Sequence, residues 1–508
     1  MKTFLLYRDQ DVDWEQPLPA NANDLVADLG LAALFQAMAA GDKIITPIAT
    51  KVILWSLADV NGILYRQAVL RDCLAQRDIV RDIYKLAGEA IENESRNFWG
   101  IRTRQAGSIL RRARDVLLMF FEILRKLRGI ADQHGSVFES EGFSRFFAML
   151  RDELDDAYLN EVYRQLRAVE FRGGMLMTAR LGQGNHGSDY VLRDFDRPPQ
   201  NWFTRLFAPR EPGFTFELHP RDESGARALS ELGDRGVNLV ADALAQSADH
   251  ILAFFHALRD ELAFYVGCIS LHERLSAKEE PLCFPVPQAV DARIYRVCGL
   301  YDPSLALSLP QRVVGNEAYA TGKMMIIITG ANQGGKSTFL RSVGTAQLMM
   351  ACGMFVPADT FNASLCNGLF THYKREEDAE MESGKFDEEL RRMNALAGHL
   401  APGTLLLLNE SFAATNDREG SEIARQIVEA LVDSGVRVAF VTHLYEFAHR
   451  VWTERPGEAL FLRADRREDG QRTFRLREGE PLPTSYGEDI YRRVFGAELA
   501  RSSLRPNT

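Results

Sequence analysis

The 508-residue sequence predicts a multidomain protein, a mostly α-helical N-terminal region with a small β element, followed by a C-terminal α/β domain built on a phosphate loop. Three observations carry that expectation. Helix-spaced apolar residues dominate from Asp24 to about Leu275, β-prone runs alternate with helical segments after Gln288, and MMIIITGANQGGKSTFLR occupies Met324 to Arg341. In this last stretch an apolar, β-branched run enters a glycine-rich turn and then a helix-compatible segment. Gly330, Gly335, Lys336 and Ser337 fit G-x-x-x-x-G-K-[ST]. Glycines at Gly330, Gly334 and Gly335 leave room for backbone N–H groups to surround phosphates, and the helix start turns its positive end toward the anion. Lys336 can reach the β- and γ-phosphates and the Ser337 hydroxyl can ligate Mg²⁺. The implied ligands are ATP and Mg²⁺, with Asn332 and Thr338 completing the loop set.

Composition bounds the rest. The chain is too long for one core, and its apolar and charged fractions are those of a globular protein. The opening MKTFLLYRDQDVDWEQ lacks a signal-peptide apolar region, and no run of about 18 apolar residues occurs. The expectation is a cytoplasmic, soluble protein with no membrane contact. Six scattered cysteines with no C-x-x-C suit reduced, buried thiols. A net charge of −10 means that any nucleic-acid contact needs a local basic face or an enclosing shape.

The N-terminal segment, 1–23, reads as a short strand plus a linker. A helical, lever-like domain follows over 24–130. Within it, Arg96 to Arg128 carries nine Arg or Lys against Asp115 and Glu122, while its apolar residues keep a helix stripe. That basic run, with Arg111, Arg112 and Arg114, is either a solvated face or one that contacts DNA phosphates. Region 131–236 adds a helical block (Phe143 to Arg167), a hairpin pattern over Met175 to Phe195, and a proline-rich loop over Arg193 to Gly213. The hairpin is the tip of an arm or an ordinary capping element. A helix returning over 237–280 leads to the α/β domain, 281–508, with strands expected at Ile294 to Cys298, Val313 to Val314, Thr404 to Leu408 and Val436 to Thr442.

Two strand ends supply the remaining chemistry. TLLLLNES (Thr404 to Ser411) is a buried-strand run ending in polar residues, where a Walker-B strand delivers its acid. Glu410 is the candidate base or water-positioning residue, against the alternative of a surface glutamate. Asn409 stands where an aspartate would support the Mg²⁺ shell, so weaker metal retention or slower turnover is expected. His443, ending the next strand, is a structural histidine or a sensor of the γ-phosphate. Ser383 precedes an amphipathic helix starting near Phe386, and either caps it or brings its N-terminus to a phosphate.

Ile328 to Ala358, ending in the G-x-x-V-P-A of Gly353 to Ala358, closely resembles the ATPase domain of the MutS-type DNA mismatch-repair family. NESFAATNDREG (Asn409 to Gly420), VTH (Val441 to His443) and SYG (Ser485 to Gly487) agree with it. The resemblance is strong over 290–495, weaker over 24–90, where YRQ (Tyr65 to Gln67) looks like the start of the lever, and faint between. It implies an ABC-type ATPase acting as a homodimer with composite ATP sites, Ser383 closing over the partner's nucleotide, Thr415 near the subunit boundary and Asn316 in the turn that meets the base. DNA is the implied partner. The sequence departs from the family pattern at Asn409, and Phe412-Ala413-Ala414 replaces the usual Gly-Arg-Gly. Phe120-Phe121-Glu122 resembles the mismatch wedge only in its letters. The expectation is a short member without the mismatch-reading domain or an appended nuclease. A protein scaffold switched by nucleotide, without DNA binding, is the alternative.

Overall fold

The computed structural model describes residues 1–98, 105–171, 175–185, 187–193, 217–219, 221–375, 384–467 and 471–483. By internal contacts the chain divides into two compact units. One comprises 1–3, 78–139 and 143–259, the other 4–77, 140–142 and 260–508.

The first unit is helical. It contains most of α5 (Arg77–Phe98), then α6 (Ala106–His134), α7 (Glu141–Glu153, from Phe143 on) and α8 (Asp156–Ala168). The expected hairpin forms from β1 (Leu176–Leu181) and β2 (Gly187–Arg193), antiparallel with a register shift between Thr178 and Arg180. Its base packs through Met175 and Leu192 against Ala106 and Leu110 of α6 and Val237 and Ala241 of the next helix. That helix, α9, is longer than periodicity suggested, running Glu223–Ser276 rather than from Val237. The expected loop over Arg193 to Gly213 lies, past Arg193, outside the described residues.

The second unit carries α1 to α4 (Ala22–Asp28, Leu31–Ala39, Ile45–Leu54, Val60–Ala75), the short α10 (Pro303–Ser308) and two sheets. The larger sheet contains β6 (Met325–Gly330), β8 (Leu369–Tyr373), β9 (Leu405–Asn409), β10 (Arg437–Val441), β11 (Ala459–Arg466) and β12 (Arg472–Glu478), in the order β12-β11-β6-β10-β9-β8. All neighbours are parallel except the β11–β12 pair. Near-continuous burial of MIIITG and LLLL is what a central parallel strand requires, since helices cover both faces. The smaller sheet orders β3 (Val286–Gln288), β7 (Thr360–Ser364), β4 (Tyr295–Leu300) and β5 (Asn316–Tyr319) as β3-β7-β4-β5.

Two strand expectations are corrected. Val313 to Val314 is not a strand; pairing begins at Asn316, opposite Leu300. The N-terminal segment forms no strand either, and Leu5 to Gln10 are bends. Its backbone is held by side chains: Leu5 and Leu6 N–H donate to Glu261 Oε2 (2.6 and 2.9 Å), and the Leu5 and Leu6 carbonyls accept from Tyr265 and Arg66. A chain satisfied this way needs no ladder partner. Arg66 of the YRQ motif is buried and also donates to Cys352 O at 3.1 Å. A Cβ at Gly353 (φ 81°) would come within 2.7 Å of the Arg66 side chain, which accounts for the glycine opening G-x-x-V-P-A.

Candidate nucleotide site

The site begins where β6 stops. Gly330 (φ 100°) and Gly335 (φ 89°) take left-handed backbone conformations that favour glycine, and α11 (Lys336–Ala351) starts directly after Gly335. A Cβ at Gly330 would lie 2.8 Å from the Ala464 backbone nitrogen, and one at Gly334 2.8 Å from Ala331 O, so these two positions have no room for a side chain. Lys336 is buried, and its ammonium donates to Gly330 O and Ala331 O at 3.0 and 3.1 Å. Burial pushes its pKa down to about 8, with Glu410 opposing and Arg472 adding to the shift. Asn332 and Thr338 are half-buried on either side.

β9 delivers its end to the same loop. Ser337 Oγ donates to Asn409 Oδ1 at 2.8 Å, joining helix start to strand end. Asn409 thus accepts through its carbonyl oxygen where a carboxylate would also bring charge. Glu410 has φ 54° and its N–H donates to Val441 O at 2.8 Å, which ties it to β10. From the end of β10, His443 Nε2–H donates to Glu410 Oε1 at 2.9 Å. That bond, more than its neighbours Lys336 and Lys374, holds the Glu410 carboxyl below its usual range against the opposing effect of burial. Glu410 is therefore a charged acceptor, suited to orienting a water more than to taking its proton.

Other expected residues stand differently. Asn316 is buried and its amide is committed to β12: Nδ2 donates to Phe474 O (3.1 Å) and Oδ1 accepts from Leu476 N–H (2.7 Å). Expected in a turn, Asn316 instead opens β5, with its side chain spent on β12. Thr415 Oγ1 donates to Glu419 Oε2 at 2.9 Å, next to the N-cap Asn416 of α13 (Asp417–Asp433). Ser383 and Ser485 to Gly487 lie outside the described residues, and the N-cap of α12 (Lys385–Ala397) is Gly384. α12 buries Glu389 and Met393.

In the helical unit, Arg111, Arg112 and Arg114 do not form one free basic face. Arg112 pairs with Glu94 (3.7 Å), Arg114 with Asp115 (2.7 Å) and Glu170 (4.0 Å), and exposed Arg111 donates to Gly107 O (3.4 Å). Phe120 and Phe121 of the wedge-like letters are buried, Phe120 packing on Phe255 at 5.3 Å.

Two residues of the site escape sequence reasoning. Arg472 Nε donates to Asn332 O at 3.0 Å, bringing a second cation to the loop. Phe474, half exposed with φ 58°, lies where a Cβ on Gly335 would be 3.8 Å from its own Cβ. Both sit on an antiparallel edge strand whose sequence, RTFRLRE, contains no motif. The only signal available was the density of arginine after Gly470.

The described residues hold no group of three or more His, Cys, Asp or Glu that could bind a metal, and no helix among them is long and apolar enough to cross a membrane. Comparison with known proteins covers both units. Residues 58–278 match the family model of the MutS2 N-terminal domain and residues 326–493 that of MutS domain V, so the helical region, where the sequence resemblance is faint, is covered too. An endonuclease MutS2 from Halothermothrix orenii is 24% identical over 437 residues, covering 83% of this chain and 52% of the relative. A DNA mismatch repair protein MutS from Chloroflexus aurantiacus is 28% identical over 269 residues (48% of this chain, 28% of the relative), and human MutS protein homolog 4 is 29% identical over 150 (29% and 16%). The chain spans about half, or less, of the length of these relatives. Two family models on successive stretches, with a MutS2 relative aligned over 83% of the chain, make this chain a member of the MutS family.

Proposed function

We propose that the protein is an ATP-dependent DNA-binding ATPase of the MutS type, acting as a homodimer in which ATP binding closes the ATPase domains and hydrolysis resets the helical arms. The supporting observation is the Ser337–Asn409 bond, which brings the phosphate loop and the β9 end together with Glu410 beside them. Lys336 and the loop N–H groups hold the phosphates, and Glu410, oriented by His443, directs water at the γ-phosphate. Phe474 offers an aromatic face for the base on the Gly335 side of the loop.

The residues present fit Mg²⁺: Ser337 Oγ is a hard oxygen donor, and Asn409 Oδ1 can accept from a metal-bound water. Mg²⁺ would neutralise charge on the β- and γ-phosphate oxygens. Since Asn409 adds no negative charge, metal retention is weak and turnover slow.

A nucleotide-switched protein scaffold is the second reading, favoured by the local pairing of Arg112 and Arg114. Steady-state ATP hydrolysis with linear, mismatched and branched DNA at two salt concentrations separates the two, with Glu410→Ala as blank. Stimulation that weakens at higher salt supports DNA gating. Glu410-dependent turnover indifferent to every DNA supports the scaffold.

A further inference from the structure

Behind Glu410 the chain makes a turn that needs bracing. Glu410 (φ 54°) and Phe412 (φ 67°) both hold left-handed conformations that a side chain disfavours, with Ser411 between them. The glutamate backbone is tied to β10, but the far side of the turn is tied to α12. Phe412 N–H donates to Glu389 Oε1 at 2.6 Å, and both residues are buried. His372 of β8 completes the bracket: its ring stacks on Phe412 at 18° and 5.8 Å, its Nε2–H donates to Glu389 O at 3.2 Å, and Ser411 Oγ lies 2.8 Å from its Nδ1 and 2.7 Å from its carbonyl oxygen. Packing alone does not require a buried carboxylate here. An apolar side chain of the same size would fill the space without the cost of desolvating a charge.

We propose that Glu389 is a positioning residue for Glu410: its carboxylate fixes the Phe412 N–H, and with it the strained turn that aims Glu410 at the phosphate loop. The inference deepens the nucleotide-site reading and rests on it. It also makes α12 a mechanical input to the site, because any shift of α12 along its axis moves the acceptor that holds the turn. Phe412, which unlike glycine is disfavoured at this φ, is held in the turn by a hydrogen bond and two aromatic contacts.

The test uses the full chain with Glu389→Leu, which keeps volume and removes the acceptor, and Glu389→Gln, which keeps an acceptor oxygen. Turnover by Glu389→Leu is expected to fall at least about tenfold, since displacing a reacting group by ~1 Å can cost on the order of 100-fold, while ATP affinity stays within about twofold. Glu389→Gln is expected within about threefold of the parent on both measures. Unchanged turnover in Glu389→Leu, equal loss in both variants, or affinity lost in step with turnover would each overturn the proposal. A second readout is independent of turnover: in a crystal structure of Glu389→Leu, Glu410 should leave the 2.9 Å contact with His443. Retention of that contact would overturn the inference. A parent protein without Glu410-dependent turnover would sink the ATPase reading, and the crystallographic arm would still decide this one.

Discussion

The phosphate loop and the arginine-rich α6 both looked functional in the sequence, and the structure treats them differently. Around the loop, residues distant in sequence converge: Lys336, Asn409, Glu410, His443 and Arg472 come from three strand ends and one helix start, and each is fixed by a bond to another element. On α6 the charges are settled locally, with Arg112 and Arg114 spent on acids of their own unit. A motif written in backbone geometry survives folding as a site because its neighbours are dictated by topology. A run of one charge only states which residues can reach solvent, and the acids that meet it are not visible until the helices pack.

The sharpest way to break this contrast is Glu410→Ala. Turnover should fall by roughly 100-fold or more while ATP affinity changes only a few-fold, because the residue acts on water and not on the phosphates. Residual turnover near the parent value, measured under single-turnover conditions, would return Glu410 to the status of a surface glutamate. Asn409→Asp should come next in size, tightening Mg²⁺ dependence and raising turnover several-fold. An unchanged Mg²⁺ titration would show that the missing charge is not limiting.

Proton linkage gives a third handle on the same site. Lys336 titrates near 8 in the folded chain against a usual value of 10.5, so the folded state disfavours its charged form. Stability of the ATP-free protein should therefore rise as pH climbs from about 8 toward 10.5, where the unfolded chain binds more protons. ATP needs the ammonium, so binding should take up a proton above pH 8 and weaken by up to about tenfold per unit there. Calorimetry at pH 7 and pH 9 in two buffers reads both quantities. A smaller effect concerns His372, which burial, helped by Arg392, lowers to about 4. A depressed histidine contributes stability fully present above its unfolded value of about 6.5 and lost as pH falls toward 4. Melting temperature should drop from pH 7 to pH 5, and His372→Asn should flatten that slope.

The arginines supply the smallest expected effect. If DNA is bound, replacing exposed Arg111 by Ala should lower the slope of log affinity against log salt by about one, and replacing Arg112 or Arg114 by less. Equal, additive losses at all three would restore the continuous basic face and erase the contrast with the phosphate loop.

Legibility followed the same division. Strand–loop–helix order, β9 with Asn409 and Glu410, and β10 with His443 could be read because glycine positions and buried-strand runs are local signals. Phe474 and Arg472 could not, since an edge strand reaches the loop only through the antiparallel β11–β12 pair. Asn316 was expected in a turn, but it opens β5 and its side chain is committed to β12. The N-terminal FLLY run carried a strand's composition, yet Glu261, Tyr265 and Arg66, remote in sequence, took its backbone groups.

The most direct test of the nucleotide site is calorimetric titration of Mg²⁺-ATP into the purified protein and into Lys336→Ala. The parent should bind saturably and the variant should lose roughly 100-fold or more, because a buried ammonium on the loop is the main charge facing the phosphates. No binding by the parent, or equal binding by both, would contradict the nucleotide-site reading.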